Sequence, residues 1–192
     1  MTMAPTTQPT RGYTLVELMV TLAVLAILAM IAVPSFRDTI RRNRVNAASN
    51  ALLADLRYAR TEAINRGQLV SLCPSSDGSN CTADGTDWDA GWLVYTYPAG
   101  AASANAAYAA GNILLRAGGG RPDVTIRSST TNVVSFAQQG QLQPGAGLNF
   151  RTCIRVDGEG ENSAVVPGME LDLTGSGSLA NKALPVAAEC TP

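Results

Sequence analysis

Apolar side chains change their spacing twice along this chain. From Tyr13 to Phe36 the only charged residue is Glu17, and the run 18–33 holds one hydroxyl, Thr21, among Leu, Met, Val, Ala and Ile. Polar positions every third or fourth residue, the mark of an amphipathic core helix, are missing. At 1.5 Å per residue such a helix spans roughly 36 Å, against a hydrocarbon core of about 30 Å. The pattern predicts a membrane-spanning helix over 13–36. A secretory signal would place basic residues first, use a shorter apolar stretch and end in a small-residue cleavage site. Here Pro34, Ser35 and Phe36 follow, then Arg37, Arg41, Arg42 and Arg44, which read as a headgroup anchor.

Beyond that span Val45, Ala48, Leu52, Leu56, Ala59 and Ala63 recur three or four residues apart, on one helical face. Asn43, Asn46, Asn50, Arg57 and Arg60 fall largely off it, and Gly67 after Arg66 reads as a C-terminal cap. One helix is therefore expected from about residue 14 to 66, amphipathic over 37–66. From Leu69 the pattern shortens. Segments 69–73, 92–97, 113–116, 124–127, 133–136, 148–156 and 169–173 read as strands separated by Gly, Pro, Asn, Asp and Ser. The alanine-rich stretch 99–111 reads as an exposed, mobile loop, and Gly118-Gly119-Gly120 as a flexible turn. The expected fold is α+β: a long N-terminal helix, transmembrane then amphipathic, packed on an antiparallel β-rich head over 67–192.

Composition sharpens this division. Of 18 glycines only Gly12 precedes Gly67. Residues 1–66 carry 8 basic and 4 acidic side chains, residues 67–192 carry 6 and 11, and the whole chain is −1. A generally basic nucleic-acid binder is excluded. No histidine is present among the 192 residues, which removes Ser-His-Asp and Cys-His catalysis and Cys/His zinc sites. No nucleophile–base pair stands out, so the chain is not read as an enzyme, and no cofactor is expected.

Four cysteines allow three pairings. Cys73–Cys81, closing a short turn, and Cys153–Cys190, tying down the C-terminus, are favoured; a four-cysteine zinc site lacks any CxxC pair. Disulfides belong to an oxidising compartment. The charge rule for membrane orientation points the other way, with one arginine before the span and four after it. The cysteines and the next motif outweigh that count.

Glu17 is costly inside an apolar run, about 2.5–3.5 kcal/mol on insertion scales. Its surroundings, Arg11-Gly12-Tyr13-Thr14-Leu15-Val16-Glu17, resemble the class III signal of type IV pilins and type II secretion pseudopilins. These have Gly, an aromatic, Glu five residues into the mature chain and often proline at the twenty-second mature position, here Pro34. The resemblance implies a leader over 1–12, cleavage by prepilin peptidase between Gly12 and Tyr13, and methylation of the Tyr13 amine. Most relatives have Phe where Tyr13 stands. Glu17 would pair with the N-terminal amine of a neighbouring subunit, and Pro34 would permit a kink.

The segment Ala59-Arg60-Thr61-Glu62-Ala63-Ile64-Asn65-Arg66-Gly67, then Cys73-Pro74-Ser75-Ser76-Asp77-Gly78 and Trp88-Asp89-Ala90-Gly91-Trp92, is similar to the GspH/FimT branch of this family. That likeness is good over residues 11–97 and rests only on strand pattern beyond Gly111. It implies a minor pilin or pseudopilin, held in the inner membrane by one pass with its head in the periplasm. Assembly with other minor subunits follows, near a filament tip or in a priming complex. Some FimT-type pilins bind DNA through Gly-Arg-x-Arg near the C-terminus. The corresponding Gly175-Ser176-Gly177-Ser178 has no arginine, and the head is acidic, so DNA binding is the alternative and is not expected. Arg116, Arg121 and Arg127 remain a candidate patch for it. Asp84, Asp87 and Asp89, and Asp157, Glu159 and Glu161, could offer oxygens to calcium, but neither group fits an EF-hand and no metal is expected.

Overall fold

The structure is a computed structural model that describes residues 12–82, 85–101, 104–129 and 133–192. Two compact units divide the chain, residues 1–38 and 39–192. The expected leader up to Arg11 lies outside the described residues.

Helix α1 (Leu15–Arg66) opens in the first unit. Its start is fixed locally by Thr14. The Thr14 hydroxyl oxygen accepts from the Glu17 amide at 3.2 Å, and a Glu17 carboxylate oxygen accepts from the Thr14 amide at 3.3 Å. This reciprocal pair is a capping box, which satisfies two otherwise orphaned donors. Every large apolar side chain from Leu15 to Phe36 is exposed. Pro34 sits inside the helix and donates no amide hydrogen bond to the carbonyl one turn before it.

In the second unit α1 turns one face inward. Val45, Ala48, Leu52, Leu56, Ala59 and Ala63 are all at most 1% exposed. Burying each leucine contributes about 1.5–3 kcal/mol, while the alanines let the sheets approach closely. The helix ends in a Schellman cap: Gly67, at φ 60°, donates to Ile64 O, and Gln68 donates to Ala63 O.

Ten strands follow. They are β1 (Val70–Pro74), β2 (Gly91–Thr96), β3 (Ile113–Gly119), β4 (Val124–Ser128), β5 (Val134–Phe136), β6 (Leu142–Gln143), β7 (Leu148–Val156), β8 (Glu159–Glu161), β9 (Met169–Leu173) and β10 (Leu179–Ala183). One sheet runs β3-β2-β1-β5-β6, the other β10-β9-β7-β4, with β8 paired to the end of β7; all pairs are antiparallel. The main core joins the inner face of α1 to both sheets, with Trp88 edge-on to Phe150 at 5.1 Å. The long helix is thus packed, over its second half, on antiparallel sheets.

Three strands escape the sequence pattern: β6, β8 and β10. They are short or carry mixed polar residues, so period-two alternation does not mark them. The β7–β8 connection is a two-residue hairpin at Asp157 and Gly158, with φ of 51° and 93°. Both values are the left-handed ones an Asp-Gly turn supplies.

Of two loop expectations, the alanine-rich segment is an exposed loop held by contacts that its composition does not show, and the glycine turn is corrected. The outer face of the first sheet carries a second cluster of Cys73, Leu93, Tyr95, Tyr97 and Val133, packed against Leu69, Cys81 and Tyr108. The alanine-rich segment covers this cluster. Tyr95 and Tyr97 hydroxyls donate to Ala106 O at 2.6 and 2.8 Å, and the Asn105 amide donates to Ser135 Oγ at 2.9 Å. Backbone acceptors hold it, which composition does not reveal. Gly118 and Gly119 end β3, and a Cβ on Gly120 would stand 2.1 Å from Asp89 O. Lack of space, not flexibility, requires glycine at 120.

Candidate functional site

The residues implied in processing and assembly lie on the first unit. Gly12 precedes the capping box in open chain, with nothing within 4 Å of a Cβ built there. Tyr13 is 90% exposed, so its amine would be accessible once the preceding bond is cut. Glu17 and Pro34 both sit on α1, roughly 25 Å apart at the helical rise, and the fold does not bring them together. The Thr14 hydroxyl also donates to Glu17 Oε2, at 3.4 Å. The motif Thr-x-x-Glu was legible in the sequence as a capping box, and its reading there as an assembly residue alone missed this.

The cysteines lie far along the chain in the second unit. Cys73 is joined to Cys81 and Cys153 to Cys190, so none is free to ligate a metal. Cys73–Cys81 closes a turn held by Asp77, whose carboxylate accepts from Asn80 Nδ2 at 2.9 Å and from the Ser79 and Asn80 amides at 2.8 Å. The Asn80 side-chain hydrogen bond, with those amides, holds the Asp77 carboxyl well below the usual range.

Of the acidic side chains weighed as calcium ligands, Asp87 and Asp89 are otherwise engaged. Asp84 lies outside the described residues. Asp87 pairs with Arg127 at 2.8 Å; Asp89 pairs with Arg127 at 2.6 Å and with Arg155, and also accepts from the Ile126 amide. Asp89 is 8% exposed, so these partners offset its desolvation and tie its loop to β4 and β7. Asp157 sits in the β7–β8 turn, and Glu159 and Glu161 lie on β8. Among the described residues no group of three or more His, Cys, Asp or Glu is placed to hold a metal.

The arginine patch is likewise dispersed. Arg116 pairs with Asp55 at 2.9 Å and lies 5.8 Å over the Tyr58 ring, while Arg127 is committed to Asp87 and Asp89. Arg121 is exposed and has no ion pair among the described residues. Lys182 bridges Glu170 at 3.2 Å and Asp172 at 2.7 Å, a structural duty. Sequence reasoning missed Asp55. It is 4% exposed on the packed face of α1, and its Oδ2 accepts the Trp92 indole N–H at 2.8 Å. An acid three residues after Leu52 and four before Ala59 was the available signal, since that spacing puts it on the apolar face.

Comparison with known proteins agrees with this geometry. The family model described as "Type II transport protein GspH" matches residues 48–175, and the "Prokaryotic N-terminal methylation motif" matches residues 8–33. A "Fimbrial protein" of Moraxella nonliquefaciens is 36% identical over 77 residues, 40% of this chain and 42% of that one. A "Fimbrial protein" of Pseudomonas aeruginosa is 34% identical over 86 residues, 45% of this chain and 51% of that one. The chain thus spans about half the length of these curated relatives. The crystal structure of the Pseudomonas aeruginosa type IV minor pilin FimU superposes with a TM-score of 0.52 at 22% identity, over 77% of this chain and 93% of that one. At that identity the likeness is one of fold. Family and fold are those of structural subunits, not enzymes. The chain belongs to the type II transport protein GspH family, with the N-terminal methylation motif on the same polypeptide.

Proposed function

We propose that the chain is a minor pilin or pseudopilin subunit of a type IV pilus or type II secretion pseudopilus. Prepilin peptidase cuts between Gly12 and Tyr13 and the Tyr13 amine is methylated. Residues 13–36 store the subunit in the inner membrane by a single pass, 37–66 continue the helix, and 67–192 form the periplasmic head. In the filament the apolar helix packs against other helices, Glu17 meets a neighbour's N-terminal amine, and Pro34 lets the helix adjust. The subunit stands near the tip, in a complex with other minor subunits.

The observation that carries this reading is the methylation motif over residues 8–33, whose apolar helical surface the chain leaves exposed. Surface that faces lipid in the store becomes surface that faces subunits in the fibre. Two disulfides in the head favour an oxidising compartment. The alternative, a DNA-binding minor pilin, has less support, because Arg116 and Arg127 already face carboxylates.

Replacing Gly12 by Trp tests processing without disturbing the fold, since open space surrounds that position. The expected result is accumulation of an uncut membrane form absent from sheared filaments. Normal processing would remove the assigned cut site. Glu17→Ala should leave insertion intact but lower incorporation into filaments, and normal incorporation would remove the pairing role.

A further inference from the structure

Among the described residues, the β3 edge of the head is lightly guarded. Strand β4 is covered by its neighbouring loop: Trp88 donates to Ile126 O at 3.0 Å and Ser128 donates to Thr86 O at 2.9 Å. Strand β6 has two residues and runs into Pro144. Strand β10 carries Lys182 outward, and its Asn181 is bonded to Ser49 of α1 at 3.0 Å. Short length, proline, charge and cover are the usual protections of an edge. Strand β3 carries one charge, Arg116, drawn to Asp55 of α1, and one bulge; beyond them, over residues 117–119, it has no proline, charge or covering strand among the described residues. It pairs with β2 alone among the described residues. A bulge opposite Val94 and Tyr95 sends Leu115 to the core, and residues 116–119 then run in regular register with Val94, Leu93, Trp92 and Gly91. Ala117, Gly118 and Gly119 put no bulk over the free backbone groups, while Ile113 and Leu114 are 54% and 41% exposed.

Beside this edge lies a groove of about 460 Å³, walled by Ala51, Ala54 and Asp55 of α1 and by residues 116–121. Its charge is uneven. Asp55 and Arg116 neutralise each other, which leaves the exposed Arg121 as the unbalanced charge. A second copy of this chain does not suit the edge. Antiparallel self-pairing over all of β3 sets Arg116 opposite its own counterpart, and like charges directly opposite are unfavourable.

We propose that the β3 edge and its groove accept an extended acidic segment of a different subunit as an added strand. Backbone hydrogen bonds to residues 116–119 supply affinity, small side chains fill the space over Ala51 and Ala54, and a carboxylate meets Arg121. The occupant's place in a filament rests on the assembly reading above; the strand addition itself does not.

The test uses the full chain in detergent micelles and a synthetic peptide, Thr-Val-Thr-Glu-Val-Thr-Val, with two controls. One carries Lys in place of Glu, and the other is N-methylated at alternate amides. Binding is read by titration and located by amide hydrogen exchange. The expected result is protection of amides in 113–119, weaker binding of the Lys peptide, and none of the N-methylated one. Arg121→Glu should weaken the Glu peptide up to about fivefold and reverse the charge preference. Leu114→Lys, which adds a guard charge to the edge, should reduce binding of both. Absence of protection at 113–119 at millimolar peptide, or equal binding of the N-methylated control, would overturn strand addition. Unchanged charge preference in Arg121→Glu would overturn the acidic occupant. None of these readouts needs cleavage at Gly12, so they stand or fall apart from the assembly reading.

Discussion

Removal of the Asp55 carboxylate is the sharpest probe of how the helix is fixed to the head. Asp55→Ala leaves the Trp92 indole N–H buried without an acceptor, in a side chain 2% exposed. An orphaned buried donor costs about 1–3 kcal/mol. Arg116 loses its partner too, but its side chain is 55% exposed, so it turns to water for about 1 kcal/mol or less. Together these give about 1–4 kcal/mol, a fall in Tm of about 2–16 °C for a protein of this size. Asp55→Asn keeps an oxygen for the indole and loses only the ion pair, about 1 kcal/mol. Thermal unfolding of the full chain in detergent, followed by tryptophan fluorescence, separates the two. Equal effects of Ala and Asn, or a loss below about 1 kcal/mol for Ala, would refute the assignment of the Asp55–Trp92 bond as the main contribution.

Three further outcomes follow from the head. Opening Cys153–Cys190, with a sequence separation of 37, should cost about 4 kcal/mol of loop entropy, and opening Cys73–Cys81, with a separation of 8, about 2.5 kcal/mol; urea midpoints of the two double-alanine variants would give the order. Burial works to raise the Glu170 carboxyl, but hydrogen bonds from Lys182, Arg151 and Asn149 outweigh it and hold the group below its usual value. A folded value below the unfolded one means stability that is complete at neutral pH and lost as the pH falls from about 4.5 through the folded value. Glu170→Gln should therefore flatten the acid side of the stability–pH profile, as measured by urea midpoints across that range. Gly120→Ala should destabilise strongly, because its Cβ meets backbone oxygen and carbon within 2.4 Å that cannot swing aside; a Tm near that of the parent would refute the close approach.

Much of the fold was legible because it follows from periodicity. The residues from Val45 to Ala63 spaced three or four apart are the buried face, and Gly67 is the cap. Strands β7 and β9 lie where their apolar pattern places them. What escaped depends on partners remote in sequence. Asp55 is an ordinary helical acid until Trp92 and Arg116 stand against it. The alanine-rich segment looked featureless because tyrosine hydroxyls from β2 and from Tyr97 hold its backbone, and of its own side chains Tyr108 alone is described against the cluster, ring to ring with Tyr95. The acids at 87 and 89 looked like metal ligands until arginines from β4 and β7 filled the same space. Glu17 stood out by chemistry, yet its local bond to Thr14 was overshadowed by its filament motif.

The account turns on where the mature chain begins. Mass spectrometry of the intact N-terminus, on protein taken from its native membrane, addresses this directly. The account predicts a chain that starts at Tyr13 and carries one extra methyl group on its amine. An intact Met1, or a start after the apolar run, would contradict it and remove the filament mechanism with it.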